Sequence, residues 1–456
     1  MKVTVMGLGL FGGGKGVTEF LCRHGARVTV TDKRPQQTLG PSLAELRGLP
    51  VRWVLGEHHD EDFLHADLVI PNPAVPRDNP FLRLCRERGI PLDTEMNLFF
   101  KYCRGRICGV TGSNGKTTTT SLVGAMATRH WPDTRIGGNL GKSLLPEVET
   151  VQAGEWVVLE LSSFQLEDLA SLDRRPEISV VTNLSPNHLD RHKTYQAYVD
   201  AKRQILAPAG PPNVAVLNAE DPLTRSWAAS GRSTLFFGRT GSVMPGAPGA
   251  WIDEAHGEVL LSKSGRATTL FEIRDLSLHG RFNVMNAAAA AAAASAMGCD
   301  PREIRRAVKD FRAVEHRLEF VLELDGIQYL NDSIATTPES TIAALEALGP
   351  NVVVICGGSS KGSSFQALGQ VIARRARGVV LLGQTAQAIE ASIPKHSPGP
   401  TISRAQDLKD AVHKARALAR PGDRVILSPA CASYDMFLNF VERGRSFKDI
   451  VRDMAK

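Results

Sequence analysis

A Lys-Thr pair flanked by glycines has the clearest chemical meaning in this chain. Residues 110 to 120 read VTGSNGKTTTT. Gly112 and Gly115 lack a Cβ, so successive backbone N–H groups can close around phosphate oxygens. The ammonium of Lys116 can then reach the terminal phosphates, and the hydroxyl of Thr117 can ligate Mg²⁺. These residues predict a site for a nucleoside triphosphate.

The segment departs from the strict P-loop pattern, because Gly109 stands one residue too far from Gly115. The apolar run from Arg106 to Thr111 predicts a strand before it, and Thr117 to Arg129 predicts a helix after it. Four consecutive threonines are poor helix formers, so something other than helix propensity selects them. This context favours a P-loop variant over a glycine-rich turn that caps a helix and binds nothing.

Polar residues follow two further apolar runs that predict strands. Glu160 lies near the end of the run from Trp156 to Leu161, and His188 and Asp190 follow the run from Ile178 to Leu184. An acid at such a strand end, opposite a phosphate loop, is the usual Mg²⁺ partner. A single Glu or His there is more often a surface residue or a cap. Three such strand ends in series favour a metal or phosphate site.

The N-terminal residues carry a weaker nucleotide motif. A predicted strand over Lys2 to Met6 runs into Gly7-x-Gly9-x-x-Gly12, with Asp32 further along. The acid follows the last glycine by about 20 residues, the spacing of dinucleotide-binding folds, in which it accepts a hydrogen bond from a ribose hydroxyl. The glycine cluster after this motif departs from an NAD-type helix start, so the motif predicts a nucleotide without specifying NAD.

Small-residue turns follow apolar runs in the C-terminal third: NDSIATTP from Asn331, GGSSKG from Gly357 and SPACAS from Ser428. Ligands bind at such strand ends in doubly wound sheets, so these turns predict one face of a cleft. Taken alone, Lys361 is more often a solvated loop residue and Ser433 more often a helix cap.

Two other segments precede that third. Asn283 and Asn286 stand at the start of an alanine-rich helix predicted from Asn286 to Met297. Side-chain amides at a helix entrance can read an adenine edge, although capping is the commoner use. Ser242 to Gly249 is rich in Gly and Pro and predicts a loop.

Bulk properties bound the class of protein. The chain has 456 residues, which suggests about three domains at roughly 150 residues each. Apolar runs alternate with helical patterns and predict α/β domains with mainly parallel sheets. A net charge of +6 without Lys/Arg runs argues against a nucleic acid partner. Seven scattered cysteines and the lack of an apolar run of roughly 20 residues predict a cytoplasmic protein without a membrane span.

Taken together, the motifs resemble those of the Mur ligases, and within that family the branch that adds D-glutamate to UDP-N-acetylmuramoyl-L-alanine. The resemblance runs from residue 1 to the C-terminus. TGSNGKTT is shared with folylpolyglutamate synthases, whereas ELSSFQLE and SPACAS with a downstream Phe are typical of the D-glutamate branch. The segments that carry the resemblance are TGSNGKTTT, GGNLG, ELSSFQLE, NHLDRH, GRFNVMN, HRLE, NDSIATTP and SPACASYDMFLNF.

The resemblance implies a three-domain α/β enzyme. A Rossmann-like domain over residues 1–104 would bind the UDP substrate, and a central P-loop-type ATPase domain would cover 105–314. A second Rossmann-like domain over 315–456 would bind glutamate and close over ATP. The implied activity is that of an ATP-dependent amide ligase that works through an acyl phosphate in peptidoglycan precursor synthesis, as a monomer. The implied cofactors are ATP, a first and a second Mg²⁺, and a carbamate derived from CO₂.

By matching positions, the resemblance also implies residue roles. The catalytic residues are Lys116, His188 and Lys202. The ATP contacts are Gly112, Ser113, Asn114, Gly115, Lys116, Thr117, Thr118, Asn286, Arg317 and Asp332. The Mg²⁺ ligands are Thr117, Glu160, His188 and a carbamylated Lys202. The substrate contacts are Leu10, Phe11, Asp32, Lys33, Asn139, Ser162, His188, Thr336, Lys361, Ser433 and Phe440.

Lys202 owes its role to the resemblance alone, because family members carry a carbamylated lysine there, an anion that helps to hold the second Mg²⁺. From the residues alone, YQAYVDAKRQIL predicts a helix with Lys202 exposed beside Arg203. Two positions depart from the relatives. Ile334 stands where many have Lys, and Phe11 with a glycine cluster occupies the first glycine-rich turn.

Several alternatives stay open at this point. A ligase for L-glutamate would use the same mechanism. A folylpolyglutamate synthase-like ligase would take pterin substrates and leave the N-terminal block without a role. An NAD-dependent dehydrogenase would explain Gly7 to Asp32, but neither NDSIATTP nor SPACAS. A non-catalytic regulator would bind ATP without substrate-stimulated turnover.

Overall fold

The computed structural model describes most of the chain, and its residues form two compact units. One unit comprises residues 1–275 with 285–310, and the other comprises 276–284 with 311–456. The side chains of Pro41, Leu189, Asp190 and Ala347 fall outside the description. The described residues are 1–9, 13–73, 75–139, 143–186, 189–207, 213–228, 232–241, 247–278, 280–312, 315–360, 363–394 and 399–455.

The first sheet is parallel, with strand order β3-β2-β1-β4. Its inner strands are rich in valine, and the side chains of Val3, Val5, Val28 and Val30 lie on the same face of the sheet and are buried in one hydrophobic cluster. The strands are β1 (Lys2–Met6), β2 (Arg27–Asp32), β3 (Val51–Leu55) and β4 (Leu68–Pro71). The helices are α1 (Gly13–Arg23), α2 (Gln36–Glu45), α3 (Asp60–Leu64), α4 (Pro80–Glu87) and α5 (Glu95–Tyr102).

The second sheet belongs to the same unit and has the order β13-β12-β11-β10-β9-β8-β5-β7-β6. Its strands are β5 (Arg106–Thr111), β6 (Arg135–Gly138), β7 (Trp156–Glu160), β8 (Ile178–Val181), β9 (Val214–Asn218), β10 (Thr234–Arg239), β11 (Gly249–Asp253), β12 (Glu258–Lys263) and β13 (Arg266–Glu272). The helices that follow along the chain are α6 (Lys116–His130), α7 (Ser163–Leu169), α8 (Leu189–His192), α9 (Tyr195–Arg203), α10 (Pro222–Arg225), α11 (Arg281–Ala296) and α12 (Pro301–Asp310). Short 3₁₀ turns cover Leu145–Thr150, Gln204–Leu206 and Ile273–Asp275.

The third sheet lies in the second unit and has the order β14-β15-β19-β16-β17-β18. Strand β14 pairs antiparallel with β15, and the other pairs are parallel. The strands are β14 (Glu319–Leu324), β15 (Ile327–Asn331), β16 (Val352–Gly357), β17 (Ala376–Leu382), β18 (Thr401–Arg404) and β19 (Arg424–Leu427). The helices are α13 (Pro338–Leu348), α14 (Gln366–Arg375), α15 (Ala386–Ser392), α16 (Leu408–Leu418) and α17 (Phe440–Asp453).

Strand order decides which polar residues of the second sheet meet. Strand β5 lies between β7 and β8 and is parallel to both. The carboxyl ends of the three strands therefore share one edge of the sheet, where the residues after each strand can meet a common ligand. This edge carries the glycine-flanked Lys-Thr pair, Glu160 and the segment after Val181.

The predicted α/β class with mainly parallel sheets is confirmed. In the second sheet, β12 pairs antiparallel with β11 and β13, and the other pairs among its described strands are parallel. Two expectations about local structure are corrected. Gly249, which was expected in a loop, opens β11 with a φ of 148°, and a Cβ there would overlap the Phe236 carbonyl. Asn283 and Asn286 lie inside α11, which begins at Arg281, and not at its entrance.

The three sheets fall within the three predicted domain ranges, whose boundaries at 104 and 314 stay predictions. All seven cysteines are free thiols. Among the described residues, no helix is both long enough and apolar enough to span a membrane.

Candidate active site

The turn between β5 and α6 depends on two glycines. Gly112 has a φ of 147° and Gly115 a φ of 79°, conformations that side-chain-bearing residues rarely adopt. A Cβ on Gly112 would overlap the Thr182 hydroxyl, and a Cβ on Gly115 would overlap the Asn286 side chain. The turn therefore needs glycine at both positions for conformation and for space, as the sequence predicted.

Hydrogen bonds from the neighbouring strand fix the shape of this turn. Ser113 N–H donates to the Asn183 carbonyl at 2.8 Å, and Asn114 N–H donates to Asn183 Oδ1 at 3.0 Å. The Thr182 hydroxyl donates to the Asn114 carbonyl at 2.6 Å. Ser113 Oγ lies 2.8 Å from the Tyr198 hydroxyl on α9. The segment after β8 thus holds the turn, a role that the sequence did not assign to Thr182, Asn183 or Tyr198.

Lys116 begins α6 and folds back over the turn. Its Nζ donates to the carbonyls of Gly112 and Ser113, at 3.0 Å each. The ammonium therefore lies on the loop that the sequence predicts to hold phosphates, where a positive charge stabilises transferred phosphoryl groups. Thr118 follows on α6 and is buried.

Oxygen-bearing side chains from three segments meet beside Lys116. Thr117 Oγ1 donates to Glu160 Oε2 at 2.7 Å, and Asn139 Nδ2 donates to Glu160 Oε1 at 2.9 Å. Hydroxyl and carboxylate oxygens are the metal ligands that Mg²⁺ prefers. His188 lies outside the described residues, and so does the side chain of Asp190. Within the described part of the chain, no three His, Cys, Asp or Glu side chains form a metal-binding group.

Lys202 is buried, so the prediction from the residues alone that it is exposed on its helix is wrong. Only 1% of the residue is exposed. Its Nζ donates to Thr111 Oγ1 at 3.2 Å and lies 4.9 Å from the centre of the Tyr198 ring. Burial lowers the pKa of Lys202 well below its usual range, Lys116 lowers that pKa further, and Glu160 opposes the shift. Desolvation therefore favours the neutral amine.

The segment SSFQ after β7 forms a capping box for α7. Ser162 Oγ accepts the Gln165 N–H at 3.3 Å, and Gln165 Oε1 accepts the Ser162 N–H at 2.9 Å. Sequence reasoning missed His192, whose Nε2 lies 2.9 Å from Ser163 Oγ while its ring stacks on Phe164. The contact of Ser162 with a substrate stays a prediction.

In the first sheet, Asp32 orders two turns. Its carboxylate accepts the Gly9 N–H at 3.2 Å and the Arg34 N–H at 2.9 Å. Lys33 is exposed next to it. Leu10 and Phe11 lie outside the described residues, so their predicted contacts with the uridine nucleotide stay predictions, as does the ribose contact of Asp32.

Asn286 on α11 is brought to the phosphate loop. Its Oδ1 accepts from Thr119 Oγ1 at 3.4 Å, and the side chain lies directly against Gly115. The predicted contact of this residue with the adenine base stays a prediction.

Within the second unit, Asp332 follows β15 and is buried. Its carboxylate accepts the Ser428 hydroxyl at 2.8 Å and the Leu318 N–H at 3.2 Å. Burial raises the pKa of Asp332 to about 7, although the Ser428 hydrogen bond and the positive charge of Arg317 both oppose the rise. Arg317 and Asp332, both predicted ATP contacts, therefore lie in one electrostatic group.

The loops predicted to bind the amino acid are joined by a buried arginine that sequence reasoning missed. Arg443 on α17 donates to Ser333 Oγ at 3.0 Å, to the Ser333 carbonyl at 2.9 Å and to the Cys431 carbonyl at 3.1 Å. Burial lowers its pKa to about 10. In sequence it looks like any helical arginine. The structure thus places a cation beside the loop that carries Ile334.

The other predicted amino acid contacts are near these loops or outside the description. Ser433 is buried, and its carbonyl accepts the N–H groups of Met436 and Phe437. Phe440 begins α17, and its carbonyl accepts the Ser333 hydroxyl at 2.7 Å. Thr336 lies two residues after Ile334 in the segment NDSIATTP. Lys361 lies outside the described residues, so its contact stays a prediction.

Family models match most of the chain. A model described as "Mur ligase MurD-like, N-terminal domain" matches residues 1–93. The model "Mur ligase middle domain" matches residues 110–294, and "Mur ligase, glutamate ligase domain" matches residues 316–431. The three matches follow the order of the three sheets.

Curated relatives match over the whole length. A protein of Roseiflexus sp. strain RS-1 named UDP-N-acetylmuramoylalanine–D-glutamate ligase is 43% identical, with 100% of this chain and 99% of the relative covered. A protein of Symbiobacterium thermophilum with the same name is 39% identical, with 100% and 98% covered.

Solved structures share the fold. The UDP-N-acetylmuramate–alanine ligase of Thermotoga maritima is similar with a TM-score of 0.64 at 21% identity, with all of both chains covered. A pseudomurein peptide ligase of type C from Methanothermus fervidus gives a TM-score of 0.61 at 19% identity, with 99% of both chains covered.

Proposed function

The chain belongs to the Mur ligase family, and from that membership we propose that it joins D-glutamate to UDP-N-acetylmuramoyl-L-alanine in peptidoglycan precursor synthesis, with conversion of ATP to ADP and phosphate. The observation that carries the proposal is the edge of the second sheet, where Lys116 lies over a two-glycine turn and Thr117 is bonded to Glu160. The names of the full-length relatives supply the substrate.

ATP is proposed to bind with its phosphates on the turn from Gly112 to Thr118 and its base beside Asn286. Glycine at positions 112 and 115 lets the turn pack against Thr182 and Asn286 in the shape that it has, and a glycine-rich turn at the start of a helix is a common phosphate-binding element. Arg317 is proposed to contact a phosphate. Asp332 is proposed to accept from the ribose.

The residues at this edge fit Mg²⁺, because the Thr117 hydroxyl lies within hydrogen-bond distance of the Glu160 carboxylate, and both offer oxygen ligands. Thr117 and Glu160 would hold a first ion. His188 and a carbamylated Lys202 are the other proposed metal ligands, and the carbamate would help to hold a second ion. When bound, the metal would offset negative charge on the phosphates.

The proposed chemistry has two steps. The alanyl carboxylate attacks the γ-phosphorus of ATP, which forms an acyl phosphate and releases ADP. The amine of glutamate then attacks the acyl carbon, loses a proton, and the tetrahedral intermediate expels phosphate to leave an amide. Lys116 would stabilise the charge on the transferred phosphoryl group, because such transfer depends mainly on positioning and electrostatics. Asn139 and His188 would orient the muramoyl substrate.

Lys202 is proposed to carry a carbamate. Its amine is buried, and burial lowers its pKa, which favours the neutral form. A neutral amine can add CO₂ and lose a proton, and the resulting anion would help to hold the second Mg²⁺. Lys202→Ala should lose activity that short carboxylic acids partly restore, whereas Arg203→Ala on the exposed side of the same helix should stay active. An unchanged rate in Lys202→Ala would remove the carbamate from the mechanism.

Glutamate is proposed to contact Thr336, Lys361, Ser433 and Phe440, where a lysine and hydroxyls can pair its carboxylates. Ile334 at the position of a common lysine keeps L-glutamate as an alternative substrate. Assembly as a monomer and a cytoplasmic location stay predictions.

The deciding experiment measures phosphate release from ATP by the purified protein with UDP-N-acetylmuramoyl-L-alanine and D-glutamate, L-glutamate or no amino acid. The mass of the product identifies the amide. Release that depends on D-glutamate supports the proposal, and dependence on L-glutamate keeps the mechanism while reassigning the amino acid. If neither glutamate isomer causes phosphate release, the next tests are ligation of a pterin substrate and a nicotinamide-dependent change in absorbance.

A further inference from the structure

The segment that presents Arg317 has an unusual backbone. His316 has a φ of 67° and Leu318 a φ of 42°, so residues on both sides of Arg317 are left-handed although neither is glycine. L-residues adopt such conformations only when the surrounding structure holds them there, and they concentrate at functional sites. Some feature of the second unit must therefore fix these residues.

Backbone hydrogen bonds to two carboxylates hold the segment. His316 N–H donates to Glu319 Oε2 at 2.9 Å, and Leu318 N–H donates to Asp332 Oδ1 at 3.2 Å. Asn331 Nδ2 also donates to Glu319 Oε2, at 3.0 Å. The position of the Glu319 carboxylate therefore decides the conformation next to Arg317.

Lys448 on α17 fixes that carboxylate. Its Nζ donates to Glu319 Oε1 at 3.0 Å and to Glu315 Oε1 at 2.7 Å, so one ammonium ties both ends of the segment. The side chains of Lys448 and Glu319 are 10% and 19% exposed, so this ion pair is less screened than a surface pair, whereas the Glu315 side chain is 48% exposed. One turn earlier on the same helix, a Cβ on Gly444 would overlap the His316 ring, so the helix packs directly on the segment.

We propose that Lys448 is a positioning residue for ATP, which fixes the left-handed backbone around Arg317 through Glu315 and Glu319 and so raises nucleotide affinity. The inference rests on the proposed function, because it takes Arg317 as a phosphate contact. Lys448 itself bonds to carboxylates of the chain and acts through the segment that they hold.

A matched control lies in the same unit. Lys414 on α16 also makes two hydrogen bonds, at 2.7 Å to Asp410 Oδ2 and at 2.7 Å to the Arg404 carbonyl. Asp410 lies one turn away on the same helix, and neither bond reaches the segment that carries Arg317. Lys414→Met therefore removes a lysine with two hydrogen bonds but leaves the contacts of Lys448 with Glu315 and Glu319 intact.

The test compares Lys448→Met, Lys448→Arg and Lys414→Met with the parent chain. It measures kcat, the KM for ATP, the KM for UDP-N-acetylmuramoyl-L-alanine and the affinity for ADP by calorimetry. Lys448→Met should weaken ATP and ADP binding by about tenfold or more, the scale of one to two charge-assisted hydrogen bonds. The KM for the muramoyl substrate should stay within about twofold, since only the nucleotide contact moves. Lys448→Arg should recover most of the affinity, and Lys414→Met should match the parent.

A folded Lys448→Met variant with the parent's ADP affinity would overturn the inference. Equal rises in both KM values would also overturn it, because they would indicate general damage. If Lys448→Met does not fold, Glu319→Gln carries the test by the same criterion, with weaker ADP binding expected and unchanged binding contradicting the proposal.

Calorimetry separates this inference from the proposed function. If the parent chain binds ADP but releases no phosphate with either glutamate, the proposed function fails while the ADP affinities still decide the role of Lys448. If the parent chain does not bind ADP, both fail.

Discussion

The phosphate loop of the first unit and the segment from Glu315 to Glu319 of the second both hold unusual backbone conformations, in different ways. The phosphate loop has glycine at its left-handed positions, Gly112 and Gly115. The second segment has His316 and Leu318 at such positions and relies on ion pairs from a helix more than a hundred residues later. The first solution is written locally in the sequence, whereas the second depends on tertiary contacts.

The difference has energetic consequences. Glycine adopts a positive φ without strain, so the hydrogen bonds that hold the phosphate loop do not have to offset backbone strain. A histidine and a leucine in the same region carry strain that carboxylates and Lys448 must hold. Substitutions of the two glycines should therefore act sterically, whereas substitutions of the carboxylates and of Lys448 should act electrostatically.

The largest effect should come from the charge on the phosphate loop. Lys116→Met removes the ammonium that lies over the Gly112 and Ser113 carbonyls. Ligase turnover should fall by at least about 10³-fold, on the scale of other cations that stabilise transferred phosphoryl groups. Phosphate release under saturating substrates measures the change. Lys101→Met, which loses a partly exposed bond to Asp93, should keep normal turnover. Comparable losses in both variants would contradict the role of Lys116.

The steric character of the loop is tested by Gly112→Ala. The new Cβ would overlap the Thr182 hydroxyl at a φ of 147°, so turnover should fall by about 10²-fold as the loop shifts. Gly154→Ala is the matched control, because Gly154 also has a positive φ of 96° but no atom near its missing Cβ. That variant should lose only about 1 kcal/mol of stability through backbone strain. An active Gly112→Ala enzyme would show that the close packing does not matter.

The electrostatic character of the second region is tested by Asp332→Asn. The KM for ATP should rise by about tenfold through loss of a charged acceptor. The difference in stability between the variant and the wild type should depend on pH. The pKa of Asp332 is raised from 3.8 to about 7, so the wild type loses stability as pH rises from about 4 through 7. The variant should therefore gain on the wild type between pH 5 and pH 8, as urea unfolding measures.

Exposed Asp449→Asn is the control for that pH effect, because its carboxylate lies at the surface of α17. It should show no comparable change in relative stability. A difference between Asp332→Asn and wild type that stays constant from pH 5 to pH 8 would contradict a buried carboxyl group that titrates near neutrality.

The smallest effect should come from side-chain support of the phosphate loop. Thr182→Val removes the hydroxyl that donates to the Asn114 carbonyl at 2.6 Å, and the KM for ATP should rise by about two- to fivefold. Thr224→Val removes a buried hydroxyl that donates to the carbonyls of Asn218, at 2.8 Å, and Asp221, at 3.1 Å, and neither carbonyl belongs to the phosphate loop. Both variants should lose about 1 kcal/mol of stability, but only Thr182→Val should change the KM. A large loss of turnover in Thr182→Val would mean that this hydrogen bond is as important to the loop as its glycines.

Predictions that rest on local sequence pattern were correct at the phosphate loop, whereas the prediction that depends on packing, the exposure of Lys202, was wrong. The strand before the phosphate loop, the loop and its helix were predicted because glycine spacing and apolar runs act within a few residues. Glu160 was predicted at a strand end, and its bond with Thr117 follows from the strand order. The local reading of Lys202 as exposed was wrong, because helical spacing around it does not reveal what packs over the helix.

The sequence by itself determined where the backbone must turn, which strand ends carry oxygen and nitrogen ligands, and to which family of ligases the chain is similar. These features depend on the covalent character of single residues and on short periodicities. Only the tertiary structure decided that Lys202 is buried, that Arg443 joins two loops and that Lys448 holds the segment around Arg317. Desolvation and ion pairing depend on which distant groups surround a side chain, and that is set when the sheets and helices pack.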